Sequence, residues 1–177
     1  MSNLVYVLTP DSKVVFQIQN WINGQDKNWE SGETSDNSWK RKSNIAWLKP
    51  NKRIDELIWT AIRKSNKNWN FQLSYLDGLQ YTEYNEGDNY NWHQDSFVGN
   101  HNNGQRKISM TMFLNDDFEG GEFYYEEGSP LINPREHTVP VVTGNMVFFP
   151  STTWHKVNPV TKGQRRSLVT WVWGNVW

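Results

Sequence analysis

Residues 84–95 read Tyr84-Asn85-Glu86-Gly87-Asp88-Asn89-Tyr90-Asn91-Trp92-His93-Gln94-Asp95, and they end with a histidine and an aspartate two positions apart. On an extended strand, residues i and i+2 point to the same face, so this imidazole and this carboxylate can converge on one metal ion. The pair alone is a weak signal, because 19 of the 177 residues are acidic. A strand histidine beside a turn acid is the ordinary alternative.

His155 offers a third ligand. It follows an apolar run that begins at Phe148, whereas His101 and His137 lie in polar surroundings. Two histidines and one carboxylate on one side of an ion leave coordination positions open, an arrangement typical of non-haem Fe(II) oxygenases. The sequence therefore predicts a metal site formed by three residues, His93, Asp95 and His155.

Arg165 lies at the start of the last apolar strand. Strand alternation puts it on one face with Ser167, Val169 and Trp171, and turns Arg166 to the other face. A buried arginine needs an anionic partner, because an unpaired buried charge is costly. A dicarboxylate bound by the guanidinium fork would be such a partner. A solvated arginine on an edge strand is the alternative.

Composition narrows the class of protein. We expect one domain over residues 1–177, since 177 residues suffice for a single core. The formal net charge of −1 gives no basic field for nucleic acid, and the absence of cysteine excludes disulfides and thiolate metal sites. We predict no signal peptide and no membrane span, hence a cytoplasmic protein.

Hydrophobic periodicity predicts two helices followed by strands. The first helix starts at Asp11 or Ser12 and stops at Gly24, and the second carries apolar residues at helical spacing from Ile54 to Ile62. Period-two alternation then predicts many short strands, with hairpin turns at Asp77-Gly78 and at 116–121, as in a sandwich or barrel. Lys40-Arg41-Lys42 is interpreted as a solvated edge, with a binding patch as the less favoured alternative. We therefore predict a mainly β fold, with a helical support region at 1–68 and a β core carrying the metal site at 69–177.

Four motifs in order along the chain closely resemble the Fe(II)- and 2-oxoglutarate-dependent dioxygenases. They are Tyr84–Asp95, Leu114–Glu122, Gly144–Pro150 and His155–Arg165. The nearest subgroup is the prolyl 4-hydroxylase-like, PKHD-type hydroxylases. The resemblance runs from about Trp69 to Trp173.

The resemblance implies a double-stranded β-helix, a cupin-like jelly roll backed by N-terminal helices. It implies Fe(II) held by the three predicted ligands, with 2-oxoglutarate and O₂ as cosubstrates and ascorbate as a reductant. The far carboxylate of 2-oxoglutarate would meet Arg165 and Tyr84. Tyr90 is a weaker cofactor-binding candidate, because on a straight strand its side chain faces away from that of His93.

The implied reaction is hydroxylation of an aliphatic C–H, since halogenating relatives lose the carboxylate that Asp95 retains. A peptide, a protein or a small molecule such as a free amino acid is the expected substrate, chosen by the loop Phe97–Arg106. We expect neither nucleic acid nor membrane as a partner, and the sequence carries no signal of oligomeric state. Two alternatives are a non-enzymatic jelly-roll binding module and a nucleic-acid demethylase of the same superfamily, although the second arginine of such demethylases is replaced here by Trp171.

Overall fold

The computed structural model describes residues 4–33, 40–96, 104–132 and 134–176. The two helices are α1 (Ser12–Asn23) and α2 (Lys52–Asn66). The strands, in chain order, are β1 (Tyr6–Leu8), β2 (Glu30–Ser31), β3 (Arg41–Lys42), β4 (Asn44–Trp47), β5 (Leu73–Leu76), β6 (Gln80–Tyr84), β7 (Asn89–His93), β8 (Gln105–Phe113), β9 (Glu119–Gly120), β10 (Phe123–Glu126), β11 (Glu136–Val139), β12 (Met146–Pro150), β13 (His155–Val157), β14 (Val160–Lys162) and β15 (Arg165–Gly174).

Both helices begin where a short polar side chain can cap them. The Asp11 carboxylate accepts a hydrogen bond from the backbone N–H of Lys13, and Gly24 ends α1, as predicted. The Asn51 side chain accepts from two backbone N–H groups, including that of Ile54, at the start of α2. Local sequence therefore sets the helix ends.

The described strands form two facing antiparallel sheets and a small ribbon. The larger sheet has the order β1-β12-β8-β15-β6-β4-β2, with β5 also paired to β15. The smaller sheet has the order β11-β10-β13-β7-β3, and β14 pairs with β9. Segments from the first third of the chain thus join both sheets, since β1, β2 and β4 lie in the larger one and β3 in the smaller one.

The predicted hairpin turn at Asp77-Gly78 is wrong. Strands β5 and β6 pair with successive parts of the same strand, β15: Leu76 faces Val172 and Gln80 faces Val169. The chain therefore continues in one direction past a local irregularity and does not reverse. An Asp-Gly pair marks a break in a strand, but the same residues suit a bulge and a hairpin.

The predicted hairpin at residues 116–121 is also wrong. Strand β8 pairs with β12 and β15 in the larger sheet, whereas β10 pairs with β11 and β13 in the smaller one. The turn-rich segment between them carries the chain from one sheet to the other. Composition revealed the turn but not the sheet that the next strand joins.

The two larger apolar clusters among the described residues stabilise this arrangement. The first packs α1 and α2 against the outer face of the larger sheet and includes Ile18, Ile58, Met110 and Leu168. The second lies between the sheets, and its buried members are Phe113, Phe123, Val139, Val147 and Phe149. The helices back one sheet, so the inner faces are left to form a pocket. In the part of the chain that the structure describes, no helix is long and apolar enough to cross a membrane.

Candidate active site

The three predicted metal ligands come together between the sheets. His93 ends β7, His155 begins β13, and the two are register partners. Asp95 lies two residues beyond β7, in a bend, and not on the strand as predicted. Its Oδ1 is 3.7 Å from Nε2 of His93 and its Oδ2 is 3.6 Å from Nε2 of His155. The three side chains offer ligand atoms that all lie within 4.8 Å of one another.

Both imidazoles are oriented by backbone carbonyls. Nδ1 of His93 is 2.7 Å from the carbonyl oxygen of Asn91, and Nδ1 of His155 is 2.9 Å from that of Thr153. Since a carbonyl only accepts, each Nδ1 carries a hydrogen, so in the neutral form of either ring Nε2 presents a lone pair to the pocket. Burial, with the adjacent His155, holds the pKa of His93 well below its usual value, so that ring is neutral and ready to bind a metal.

The Asp95 carboxylate is held by two serines. The Ser109 hydroxyl donates to Oδ2 at 2.6 Å and is itself 3.0 Å from the hydroxyl of Ser151. The backbone N–H of Asp95 donates to the Ser151 carbonyl at 2.9 Å. Burial alone would raise the pKa of Asp95, but the positive charge that His155 and His93 carry whenever they are protonated, together with the Ser109 hydrogen bond, outweighs burial and lowers it. The carboxylate is therefore ionised and fixed in orientation.

Two imidazole nitrogens and one carboxylate oxygen form a donor set that suits a divalent first-row metal. No thiolate is available, which disfavours a structural zinc site of the cysteine type. The three residues fit Fe(II) in the two-histidine, one-carboxylate arrangement.

Arg165 is buried in the same pocket, with only 1% of its surface exposed. Its Nη1 donates to the Ser167 hydroxyl at 3.2 Å, while its Nε has no hydrogen-bond partner. The guanidinium carbon lies 5.3 Å from the ring centroid of Tyr84 and 5.5 Å from that of Phe113. No carboxylate among the described residues forms an ion pair with it. A buried cation without an anion fits the carboxylate of a bound cosubstrate.

The neighbouring Arg166 faces outward, as predicted. Its side chain is 42% exposed, and its Nη2 lies 3.9 Å from the Asp117 carboxylate. Tyr84 is the register partner of Arg165 on β6, is buried, and lines the pocket. Strand alternation thus brings Arg165 and Tyr84 to the same part of the site.

Tyr90 contradicts the parity argument that made it the weaker candidate. Its ring stacks on that of His93, with centroids 3.4 Å apart and planes 12° apart. The register explains this, because Val157 faces Tyr90 while His155 faces His93, so two steps on β13 match three on β7. Such a bulge adds one residue and reverses the alternation. Burial and then the Asp95 charge raise the pKa of Tyr90 to about 12, so its hydroxyl stays protonated.

Arg41, interpreted from the sequence as part of a solvated edge, lines the pocket instead. It belongs to β3, which pairs with β7. Its Nε donates to the Ser43 hydroxyl at 2.8 Å and its Nη2 to the Gln80 side-chain oxygen at 3.2 Å. Arg41 and Ser43 are two residues apart, which places them on one face of an extended segment, and this spacing could have indicated from the sequence that Arg41 points inward.

Both sheets contribute to the wall of the pocket. Besides the residues already described, its lining consists of Met110, Thr111, Phe123, Phe149, Val157, Val169 and Trp171. The predicted substrate-selecting loop Phe97–Arg106 lies largely outside the described residues, which resume at Gly104.

A two-sheet β fold that gathers two histidines and one carboxylate in a pocket is the arrangement of non-haem Fe(II) oxygenases. The chain belongs to the 2OG-Fe(II) oxygenase superfamily, whose family model matches residues 79–173. This confirms the family predicted from the motifs. Membership implies Fe(II), 2-oxoglutarate and O₂ as cofactors, as predicted, while ascorbate stays a prediction.

Curated relatives are PKHD-type hydroxylases. One from Psychrobacter sp. (strain PRwf-1) is 36% identical over 98 residues, which cover 52% of this chain and 36% of the relative. Another from Prochlorococcus marinus (strain NATL2A) is 29% identical over 165 residues, covering 88% of this chain and 71% of the relative. The chain thus matches little more than a third of the length of the Psychrobacter relative.

Solved structures share the fold over almost the whole chain. A Pseudomonas putida prolyl-4-hydroxylase superposes with a TM-score of 0.71 at 20% identity, covering 97% of this chain and 92% of that one. A Trichoplax adhaerens prolyl hydroxylase, in complex with a hypoxia inducible factor peptide fragment, gives 0.71 at 16% identity, covering 98% and 84%. These matches confirm the predicted double-stranded β-helix with supporting helices.

Proposed function

We propose that this chain is an Fe(II)- and 2-oxoglutarate-dependent hydroxylase of aliphatic C–H bonds, prolyl 4-hydroxylase-like in its chemistry. His93, Asp95 and His155 hold the iron. The observation that carries the proposal is one pocket that combines an oriented His-Asp-His donor set with a buried, unpaired guanidinium. The PKHD-type relatives support the reaction class.

Different residues of the pocket contribute differently to binding 2-oxoglutarate. Arg165 pairs with the far carboxylate of 2-oxoglutarate through its guanidinium fork, and the Tyr84 hydroxyl donates to the same group. The apolar ring of Phe113 beside Arg165 keeps water from competing for that ion pair. Tyr90 contributes by fixing the ring plane of His93.

When bound, Fe(II), 2-oxoglutarate and O₂ supply the oxidising chemistry, in which 2-oxoglutarate becomes succinate and CO₂ and one oxygen atom enters the substrate C–H. The chain supplies orientation and exclusion of side reactions. Ser109 and the two backbone carbonyls keep the ligand atoms aimed at one point, so metal binding needs little rearrangement. Because Asp95 occupies the position that a halide would need, the proposed outcome is hydroxylation.

We further propose that residues 1–177 act as one catalytic domain. The support is the interleaving of the sheets, in which β1 pairs with β12, β4 with β6, and β3 with β7. A peptide, a protein or a free amino acid is the proposed substrate. The Trichoplax neighbour, described with a peptide bound, supports the peptide class.

The test has two parts. Under nitrogen, Fe(II) and 2-oxoglutarate added to the protein should give a weak metal-to-ligand charge-transfer band in the visible. In air, succinate should form in equal amount to hydroxylated product across a panel of proline peptides and free amino acids. A non-enzymatic binding module would give neither signal, whereas a demethylase would give the band but form succinate only with methylated nucleic acid.

A further inference from the structure

Arg41 is the second arginine of the pocket, and it serves a different part of it from Arg165. Its guanidinium bonds to Gln80, which faces Val169 on β15. Val169 lies four residues along that strand from Arg165, which corresponds to about 13 Å at roughly 3.3 Å per residue. One cosubstrate carboxylate bound at Arg165 therefore does not account for Arg41.

Neutral groups hold Arg41 in place. Besides the Ser43 and Gln80 hydrogen bonds, its guanidinium carbon lies 5.0 Å from the ring centroid of Tyr90. These contacts engage Nε, Nη2 and one face of the group, and no hydrogen bond from a described residue engages Nη1. They orient the charge without neutralising it.

Two other arginines of the chain, by contrast, lie next to a carboxylate. Arg106 lies 3.4 Å from the Asp77 carboxylate and Arg135 lies 3.9 Å from that of Glu127. No carboxylate of residues 4–33, 40–96, 104–132 or 134–176 lies within 4.0 Å of the Arg41 guanidinium. A cation that lines a pocket, is fixed by neutral partners and lacks an anion there is suited to bind an anionic ligand.

Tyr90 connects this cation to the proposed iron ligands. Its ring lies 5.0 Å from the guanidinium carbon of Arg41 and stacks on His93 at 3.4 Å between centroids. A ligand group held by Arg41 is thus about one aromatic ring away from the metal-binding histidine. That spacing suits a small substrate whose charged end is anchored and whose C–H bond is presented to the metal.

We infer that Arg41 binds a carboxylate of the primary substrate, so the substrate class is carboxylate-bearing amino acids or peptides. The inference rests on the proposed function. The carboxylate can be the α-carboxylate of a free amino acid or C-terminal residue, or the side-chain carboxylate of an acidic peptide. The planar fork recognises both through paired N–H donors.

The experiment compares matched charged and neutral probes. L-proline is paired with L-prolinamide, and acetyl-Asp-Pro-amide with acetyl-Asn-Pro-amide. Each is titrated by calorimetry, without oxygen, into protein loaded with Mn(II) and 2-oxoglutarate. We expect at least one carboxylate probe to bind on the order of tenfold more tightly than its amide partner, which is about 1.4 kcal/mol. The pair that discriminates identifies the source of the carboxylate.

Three variants locate the effect. In Arg41→Gln the preference should shrink to within about twofold, and Arg41→Lys should keep part of it, since a point charge remains without the fork. Lys42→Gln is the matched control, because Lys42 is the adjacent residue on β3 but pairs with Asp88 at 3.0 Å. It should keep the full preference.

The outcomes separate the two proposals. A wild-type protein that gives the 2-oxoglutarate charge-transfer band yet binds every acid and amide alike overturns the role of Arg41 alone. Persistence of the preference in Arg41→Gln does the same. Absence of the band in the wild type counts against the proposed function itself. An unchanged 2-oxoglutarate affinity in Arg41→Gln shows that the variant is folded.

Discussion

Replacing Arg165 by alanine should raise the Michaelis constant for 2-oxoglutarate by on the order of 10²-fold or more. Arg165 is almost fully buried, and within the described part of the chain the Ser167 hydroxyl is its one side-chain hydrogen-bond partner, which leaves further donors for a carboxylate. Two charge-assisted hydrogen bonds, at roughly 1.5–3 kcal/mol each, amount to about 3 kcal/mol or more. Since about 1.4 kcal/mol is a factor of ten, this gives the hundredfold figure. The assay is a 2-oxoglutarate titration of succinate production.

Two further variants make the test specific. Arg165→Lys should be milder, because the charge survives without the fork. Arg166→Ala should change the constant by only a few-fold, since that side chain faces outward toward Asp117. A large rise in the Michaelis constant for Arg166→Ala, with no change for Arg165→Ala, would refute the strand register that places Arg165 in the pocket. If neither variant changes the constant, the cosubstrate carboxylate binds elsewhere.

The remaining predictions concern the metal and the core. Alanine at any proposed iron ligand should abolish Fe(II) binding and turnover but preserve the circular dichroism spectrum, and near-normal iron content in every variant would disprove the assignment. These variants are His93→Ala, Asp95→Ala and His155→Ala. Ser109→Ala should weaken iron binding by about 10–100-fold, because it removes the 2.6 Å hydrogen bond that orients the carboxylate; an unaltered affinity in a metal titration would argue for a purely structural serine. Ile58→Ala should lower the free energy of unfolding in urea by about 2–5 kcal/mol, since Ile58 is fully buried. Phe16→Ala, at a position 68% exposed, should change it by about 0.5 kcal/mol or less, and equal effects would mean that the helix-backed core is not where stability resides.

The clustering of the three proposed metal ligands was predictable because its signal is local and chemical. His93 and Asp95 are two residues apart, and His155 is the remaining histidine that follows an apolar run. The convergence does not even require the strand that was assumed for Asp95, which lies in a bend. The prediction that these three side chains converge was therefore correct although the secondary structure assumed for Asp95 was not.

Side-chain direction was harder to predict, because a single inserted residue reverses it. The bulge opposite β13 turns Tyr90 toward His93, and the residue types of β7 do not indicate that a bulge is present. Arg41 was missed for a related reason. Its neighbours Lys40 and Lys42 look like a solvated charge run, and only the pairing of β3 with β7 brings the middle residue inward.

Strand partners were also beyond reach from sequence alone. Asp77-Gly78 and residues 116–121 were recognised as breaks between strands, yet neither segment joins its neighbouring strands in a hairpin. Turn chemistry is decided by a few adjacent residues, whereas strand pairing is decided by packing over the whole sheet.

The two faces of β15 have a consequence for how the sequence of this protein can change over evolutionary time. The four alternate residues from Arg165 to Trp171 line the pocket, while Leu168 and Val172 belong to the core beneath the helices. Selection for a new substrate can therefore act on one set of positions while the other set maintains folding. A mutational library confined to Val169 and Trp171 would explore specificity with the cosubstrate anchor and the helix-backed core both untouched. One face of β15 can therefore vary with the substrate while the other face stays constrained by folding.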